Sequence, residues 1–134
     1  MHFLNFAKLY NTISALDIFE DQFRKLCQGW EKGLALIDET DESEVAVMAR
    51  AAYCIFKSSY DQIRFIRARD EGRFVDAKEL AKSEEKTARL MLEQMNKNAA
   101  IGYEASNHYY FSKGQIVEKI INCRHIADIF SKIN

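Results

Sequence analysis

The sequence predicts an all-α protein, an antiparallel (up-down) four-helix bundle with a tyrosine-rich connection before the last helix. Three observations carry that prediction. Apolar residues recur every three or four positions along most of the chain, the spacing that draws one stripe along a helix of period 3.6. No stretch shows the strict alternation of a half-buried strand. Proline is absent from 134 residues, where average usage of about 5% would give roughly seven. Proline breaks helix interiors and populates turns, so its absence favours a few long helices with few loops.

The first helical stretch runs from Phe3 to Ile37, with Phe6, Leu9, Ile13, Leu16, Phe19, Phe23, Leu26, Trp30, Leu34 and Ile37 on one stripe. Gly29 and Gly33 each cost about 1 kcal/mol relative to alanine inside a helix. They mark either the close approach of another helix beside Trp30 or a place where this helix bends or frays. The polar break Asp38-Glu39-Thr40-Asp41 follows. Asp41 and Glu44 have capping-box spacing, an acceptor for orphan amides and an acid three positions on. The second helix then runs to Glu71 with Val45, Met48, Ala52, Ile55, Ser59, Ile63 and Ile66 on its inward face, and Gly72 suits a left-handed cap.

The third helix begins at Phe74 or Val75 and turns Ala77, Leu80, Ala81, Ala88, Met91, Leu92 and Met95 inward. Its middle, Lys82 to Lys86, is polar around most of its circumference, and part of it is expected to face water. Gly102 follows the end of this helix. Ser112 and Gln115 form another capping-box pair and open the fourth helix, with Ile116, Ile120, Cys123, Ala127, Phe130 and Ile133 inward. There is no internal repeat, low-complexity tract or domain boundary, so residues 1–134 form a single helical-bundle domain.

Composition narrows the function classes. Apolar residues at 48% and charged residues at 29% are the balance of an ordinary globular protein. The net charge of −1 gives no long-range pull towards phosphate backbones or anionic membranes. No apolar run approaches the ~18 residues of a membrane span. The N-terminal stretch carries Asn5, Lys8 and Asn11 inside its apolar run and no basic leader, so it reads as an amphipathic helix and not a signal peptide. A cytoplasmic location is the expectation. Cys27, Cys54 and Cys123 are odd in number and widely spaced within helices, the pattern of buried small residues in a reduced chain.

The segment Gly102 to Phe111 holds the candidate ligand-binding residues Tyr103, Glu104, Asn107, His108, Tyr109 and Tyr110. Aromatic faces interleaved with amide, imidazole and carboxylate groups could stack on and hydrogen-bond a sugar. The plainer reading is a long helix connection that uses aromatic anchors to stay ordered. His108 with Glu104 or His125 lacks the spacing of a helical metal site, and the Glu-x-x-His signature of a bundle di-iron site is absent, so no metal or cofactor is expected.

Arg50, Lys57, Arg64, Arg67, Arg69 and Arg73 lie near Tyr53, Tyr60 and Phe65, a pattern open to nucleic-acid binding. Near-zero net charge and the acidic neighbours Asp61, Asp70 and Glu71 favour a solvated face with salt bridges to adjacent helices. Glu84, Glu85 and Lys86, and Glu79 with Lys82, read as ordinary surface pairs. Nucleophile motifs, phosphate-binding glycine loops and dinucleotide fingerprints are all missing, so no catalytic residue is nominated.

The stretch Ile101 to Phe111, with Gln115-Ile-Val-Glu-Lys-Ile-Ile-Asn-Cys123, resembles the C-terminal ends of large bacterial glycoside-hydrolase-like proteins. Upstream, Trp30-Glu-Lys-Gly-Leu and Ile63-Arg-Phe-Ile-Arg-Ala-Arg are compatible with the helices that precede that phrase. The resemblance implies a helical region that follows a catalytic barrel and does not itself cleave the glycosidic bond. This chain has no room for a (β/α)8 barrel of ~250 residues, so the two catalytic carboxylates of glycoside hydrolysis map onto no residue here. The leading expectation is a non-catalytic helical accessory or interaction domain that exposes the face once packed on its barrel. Its partner would be a second copy or a separate catalytic domain. A small carbohydrate-binding module using Tyr103–Phe111 is the alternative, and a nucleic-acid-binding bundle acting through Arg64 and Arg67 ranks third.

Overall fold

The structure, a computed structural model, describes the backbone of residues 2–104, 108–109 and 111–133 and the side chains of 15–103 and 111–133. Helices α1 (His2–Leu34), α2 (Glu44–Asp70), α3 (Phe74–Lys97) and α4 (Lys113–Ser131) follow one another, with two-residue strands β1 (Tyr103–Glu104) and β2 (His108–Tyr109) before the last. Each helix packs on the next in sequence: α1 on α2, α2 on α3, and α3 on α4.

All three pairs are antiparallel. Trp30 near the end of α1 donates its indole N–H to the Ala49 carbonyl at 2.8 Å, while Asp17 near the other end meets Arg67 at 2.6 Å. In α2 and α3, Val47 and Ala51 cluster with Met91 and Met95, and Ala68 clusters with Ala77 and Leu80. Phe130, late in α4, stacks on Phe74 at the start of α3 with ring centroids 5.6 Å apart. The molecule is therefore the up-down four-helix bundle the periodicity predicts. Among the described residues, α1 and α4 make no backbone approach to each other, so the bundle is open along that side. No described helix is long and apolar enough to cross a membrane.

Local signals place most helix ends. At the end of α2, Gly72 adopts φ 74°. Its N–H reaches the Arg69 carbonyl and that of Arg73 reaches the Ala68 carbonyl, the pair of bonds that closes a Schellman turn. Ser112 and Gln115 form a reciprocal capping box at α4. The start of α2 departs from expectation. Ser43 is the cap, accepting from the Ala46 N–H at 3.3 Å, and Asp41 instead accepts from the Ser43 N–H at 2.8 Å. Glu44 is then the first helical residue rather than the reciprocal partner of Asp41. Gly29 and Gly33 admit no close helix approach, because a Cβ at either position would meet nothing within 4 Å. α1 runs unbroken through Gly29 and ends one residue after Gly33, three short of Ile37.

The inward face of α2 also differs. Val47, Ala51, Cys54, Asp61 and Ala68 are buried, whereas the expected Val45, Met48, Ile55 and Ile66 are 77%, 46%, 48% and 48% exposed. Both faces of α2 are apolar, and the choice between them is made by fit. Ala51 and Cys54 of α2 cluster with Ala88 of α3, and Ala68 clusters with Ala77, small residues that favour close packing and dispersion contact. The inward residues of α3 and α4 are as read, except that Ile133 is exposed and Leu92 and Phe130 are partly buried. Among the described side chains of α1, Cys27 is the one buried residue, with Phe23, Trp30 and Leu34 partly covered and Leu16, Phe19 and Leu26 exposed.

Candidate functional site

Among the described residues the core is two apolar clusters separated by a polar layer. One cluster holds Cys54, Ala88, Met91, Ile116 and Ile120. The other holds Ala68, Ala77 and Leu80, with Phe65 and Phe130 against them. Between them, α2 contributes Lys57, Ser58, Asp61 and Gln62, α3 contributes Ser83 and Glu84, and α4 contributes Lys119. Positions 57 and 61, and 58 and 62, are one helical turn apart and so share a face.

Asp61 is 1% exposed. Lys57 Nζ donates to both its carboxylate oxygens, at 2.6 and 2.7 Å, and Ser83 Oγ donates to Oδ2 at 2.6 Å. Arg64 stands 3.6 Å away on the outer side, over the Tyr60 ring. Glu84 is 6% exposed. Its Oε1 accepts from Ser58 Oγ and from Lys119 Nζ, and Lys119 also donates to Ser58 Oγ at 2.7 Å. Gln62 Nε2 closes the network on Ser58 Oγ at 2.8 Å. Each buried carboxylate thus has its own lysine, the condition under which buried charge is tolerated. Glu84 Oε2 is buried with no hydrogen-bond partner.

Two thiols border this layer. Burial, reinforced by the nearby Glu84 charge, pushes the Cys54 thiol up to about 12 and raises that of Cys123. Burial also raises Cys27. All three cysteines are free and buried. Such thiols stay protonated near neutral pH and are poor nucleophiles. Among the described residues no three His, Cys, Asp or Glu side chains are grouped to hold a metal. The layer's chemistry is charge pairing plus one open acceptor.

Glu84 corrects the sequence reading, which placed it with Glu85 and Lys86 on the surface. The missed signal is its spacing: Leu80, Glu84, Thr87 and Met91 are all buried along one stripe of α3. Likewise Asp61 stands seven residues from both Cys54 and Ala68, all buried. Glu79 and Lys82 do form an exposed surface pair at 3.0 Å.

Of the tyrosine-rich candidates, Tyr103 is 40% exposed. The backbone pairs Tyr103 with Tyr109 and Glu104 with His108 across a minimal antiparallel ladder, two short strands that the sequence reading did not foresee. Asn107 and Tyr110 lie outside the described residues, as do the side chains of Glu104, His108 and Tyr109. Gly102 holds the segment in place. Its φ is 85°, and a Cβ there would sit 2.5 Å from the Phe111 carbonyl oxygen.

The basic cluster running along α2 to Arg73, the cap of α3, is paired throughout. Arg67 meets Asp17 and Glu20, Arg69 meets Asp70, and Arg73 meets Glu71 and Asp76. Lys57 and Arg64 flank Asp61, while Arg50 donates to the Asp41 and Asp38 carbonyls. A cleft of about 510 Å³ near Arg64, Arg67 and Arg73 is also lined by Glu20, Glu71, Asp76 and Glu79, so its charges largely cancel. Compared with known protein families, characterised proteins and solved structures, the chain matches none. The likeness read in Gly102–Cys123 therefore rests on those residues alone.

Proposed function

We propose that this chain is a non-catalytic helical interaction domain, of the kind that closes glycoside-hydrolase-like proteins, and that it associates with a second copy of itself. The observation that carries the reading is the set of large apolar side chains left exposed on α1 and α2. Met48, Ile55 and Ile66 of α2 are 46–48% exposed, and Phe19 and Leu26 of the neighbouring α1 are 50% and 39% exposed. Met48, Ile55 and Ile66 follow one another at helical spacing along one stripe of α2, and exposed apolar stripes mark association sites. A second copy is the chosen occupant because the chain's net charge is only −1. Two identical surfaces then meet without long-range repulsion.

Light scattering across a concentration series tests this. The expected result is a dimer that becomes a monomer in Ile55→Asp, with the helical circular dichroism unchanged. A wild-type chain that stays monomeric at high concentration would overturn the reading. A panel of aryl glycosides should show no turnover, and hydrolysis abolished by one carboxylate substitution would refute the non-catalytic assignment.

One observation favours carbohydrate binding as a second reading: the ladder register sets Tyr103 directly opposite Tyr109, and cross-strand neighbours act together. Calorimetric titration with oligosaccharides should then give heat that Tyr103→Ala and Tyr109→Ala each remove, and no heat from the wild type would dismiss it.

A further inference from the structure

α1 is longer than the helix it packs on. Trp30 meets α2 at Ala49, and Asp17 and Glu20 meet it at Arg67. α2 ends within a turn of Arg67, at Asp70, whereas about four turns of α1 precede Asp17. Leu34, Trp30, Cys27, Phe23 and Glu20 are buried or partly covered. They stand four and three positions apart in alternation, the spacing of a helix-pairing seam. The sequence repeats that spacing without a break through Leu16, Ile13, Leu9 and Phe6. Cover fails where α2 runs out, and Leu16 is 41% exposed. Among the described residues α1 packs on no other helix.

The same chain holds an unfilled groove. α2 and α4 both pack on α3, yet among the described residues they make no backbone approach to each other. Two cavities of about 390 and 200 Å³ lie end to end in the gap, with Lys119 lining both. Ile55 and Ile66 of the exposed α2 stripe line them, together with Phe65, Met91 and Ile126. In a closed four-helix bundle the remaining helix fills this place. Here α1 instead meets α2 at Tyr53, Phe56 and Arg67, which stand on a different flank from Ile55 and Ile66.

We propose that the N-terminal seam of α1 from a second copy fills the groove, and that the exchange is reciprocal, each copy completing the bundle of the other. This rests on the dimer reading above and names what covers its α2 stripe. The lengths agree: the wall from Ile55 to Ile66 and the helix from His2 to Ile13 each span about 17 Å. The charges agree as well. Asp61 and Glu84 have their own lysines, so Glu118 is the one carboxylate of the groove without an ion partner. Lys8 is the one charge between His2 and Leu16, opposite to it in sign. A single lysine is too few for an anionic membrane surface, which a cluster of basic residues recognises.

Two variants, followed by light scattering, test the exchange. Ile55→Asp spoils the groove and Ile13→Asp spoils the seam. Each alone should weaken the dimer by about a hundredfold or more, since every dimer carries the change twice. Mixed one to one, the two variants should recover a heterodimer, because the intact seam of the first fits the intact groove of the second. Helical circular dichroism should be unchanged in both, and Leu9→Asp, one turn away on the seam, takes the place of Ile13→Asp should that variant unfold. A wild-type monomer, or a dimer that survives Ile55→Asp, would overturn the dimer reading and this proposal together. A dimer lost in Ile55→Asp but kept in the seam variants would leave the dimer reading standing and overturn the exchange. So would two monomeric variants whose mixture stays monomeric.

Discussion

Replacing Asp61 by asparagine is the sharpest probe of the polar layer. The substitution keeps the shape of a side chain that is 1% exposed and removes the charge that Lys57 neutralises. Breaking a buried ion pair from one side costs about 3–5 kcal/mol, because the remaining charge stays behind unpaired. Here the Lys57 side chain keeps 21% of its exposure and Arg64 keeps 40%, so water recovers part of that loss. The low end, about 3 kcal/mol, is expected. Unfolding entropy of about 2.1 cal/mol/K per residue makes this a fall of roughly 10 °C in melting temperature. Thermal and urea unfolding followed by circular dichroism would measure it. The companion variant Lys57→Met/Asp61→Leu/Ser83→Ala removes Asp61 with its lysine and serine partners and leaves only Arg64, which is 40% exposed and solvated. An apolar set of similar volume is often neutral or stabilising in place of a buried pair, so this triple variant should regain most of the loss. If Asp61→Asn lies within about 0.5 kcal/mol of wild type, the size of an ordinary surface change, the pair is not a buried one in energetic terms. If the triple variant is as unstable as the single one, the loss comes from packing and not from stranded charge.

Three further outcomes follow from the same geometry. Gly29→Ala should raise stability by about 1 kcal/mol in urea unfolding, because the site is helical, the added methyl meets open space, and alanine loses less entropy on folding; no gain would mean that α1 is frayed at this point. Gly102→Ala should cost about 2 kcal/mol or more, since φ of 85° and a Phe111 carbonyl oxygen 2.5 Å from the new Cβ both oppose a side chain; a neutral effect would show that the turn is not held there. Stability should also decline as pH rises from 9 towards 12, where the unfolded Cys54 thiol loses its proton and the folded one, raised from 9.0 to about 12, keeps it. Sign and window are checked by comparing urea midpoints with Cys54→Ala, whose decline over that range should be shallower; parallel curves would refute the assignment.

Much of the fold is legible in the sequence because it rests on local rules. Gly72 and Ser112 with Gln115 mark helix ends through backbone chemistry confined to a few residues, and the structure realises both. Ser43 displaced Asp41 as the cap of α2 because two polar residues within one turn compete for the same orphan amides, and propensity does not rank them. The site is much less legible. Glu84 sits in a run of charged residues that reads as solvated, and only its apolar neighbours one turn away hint at burial.

By itself the sequence determined the helical class, the number of helices and most of their limits, since periodicity and capping act over a few residues. Tertiary structure decided which face of α2 is buried. Both faces are apolar, and the close fit of Ala51, Cys54 and Ala68 against the alanines of α3 outweighs the greater bulk of Met48, Ile55 and Ile66. It also decided that Asp61 and Glu84 lie inside. Lys119 of α4 reaches Glu84, and Ser83 of α3 reaches Asp61 beside its own Lys57, and both meetings depend on packing across the bundle.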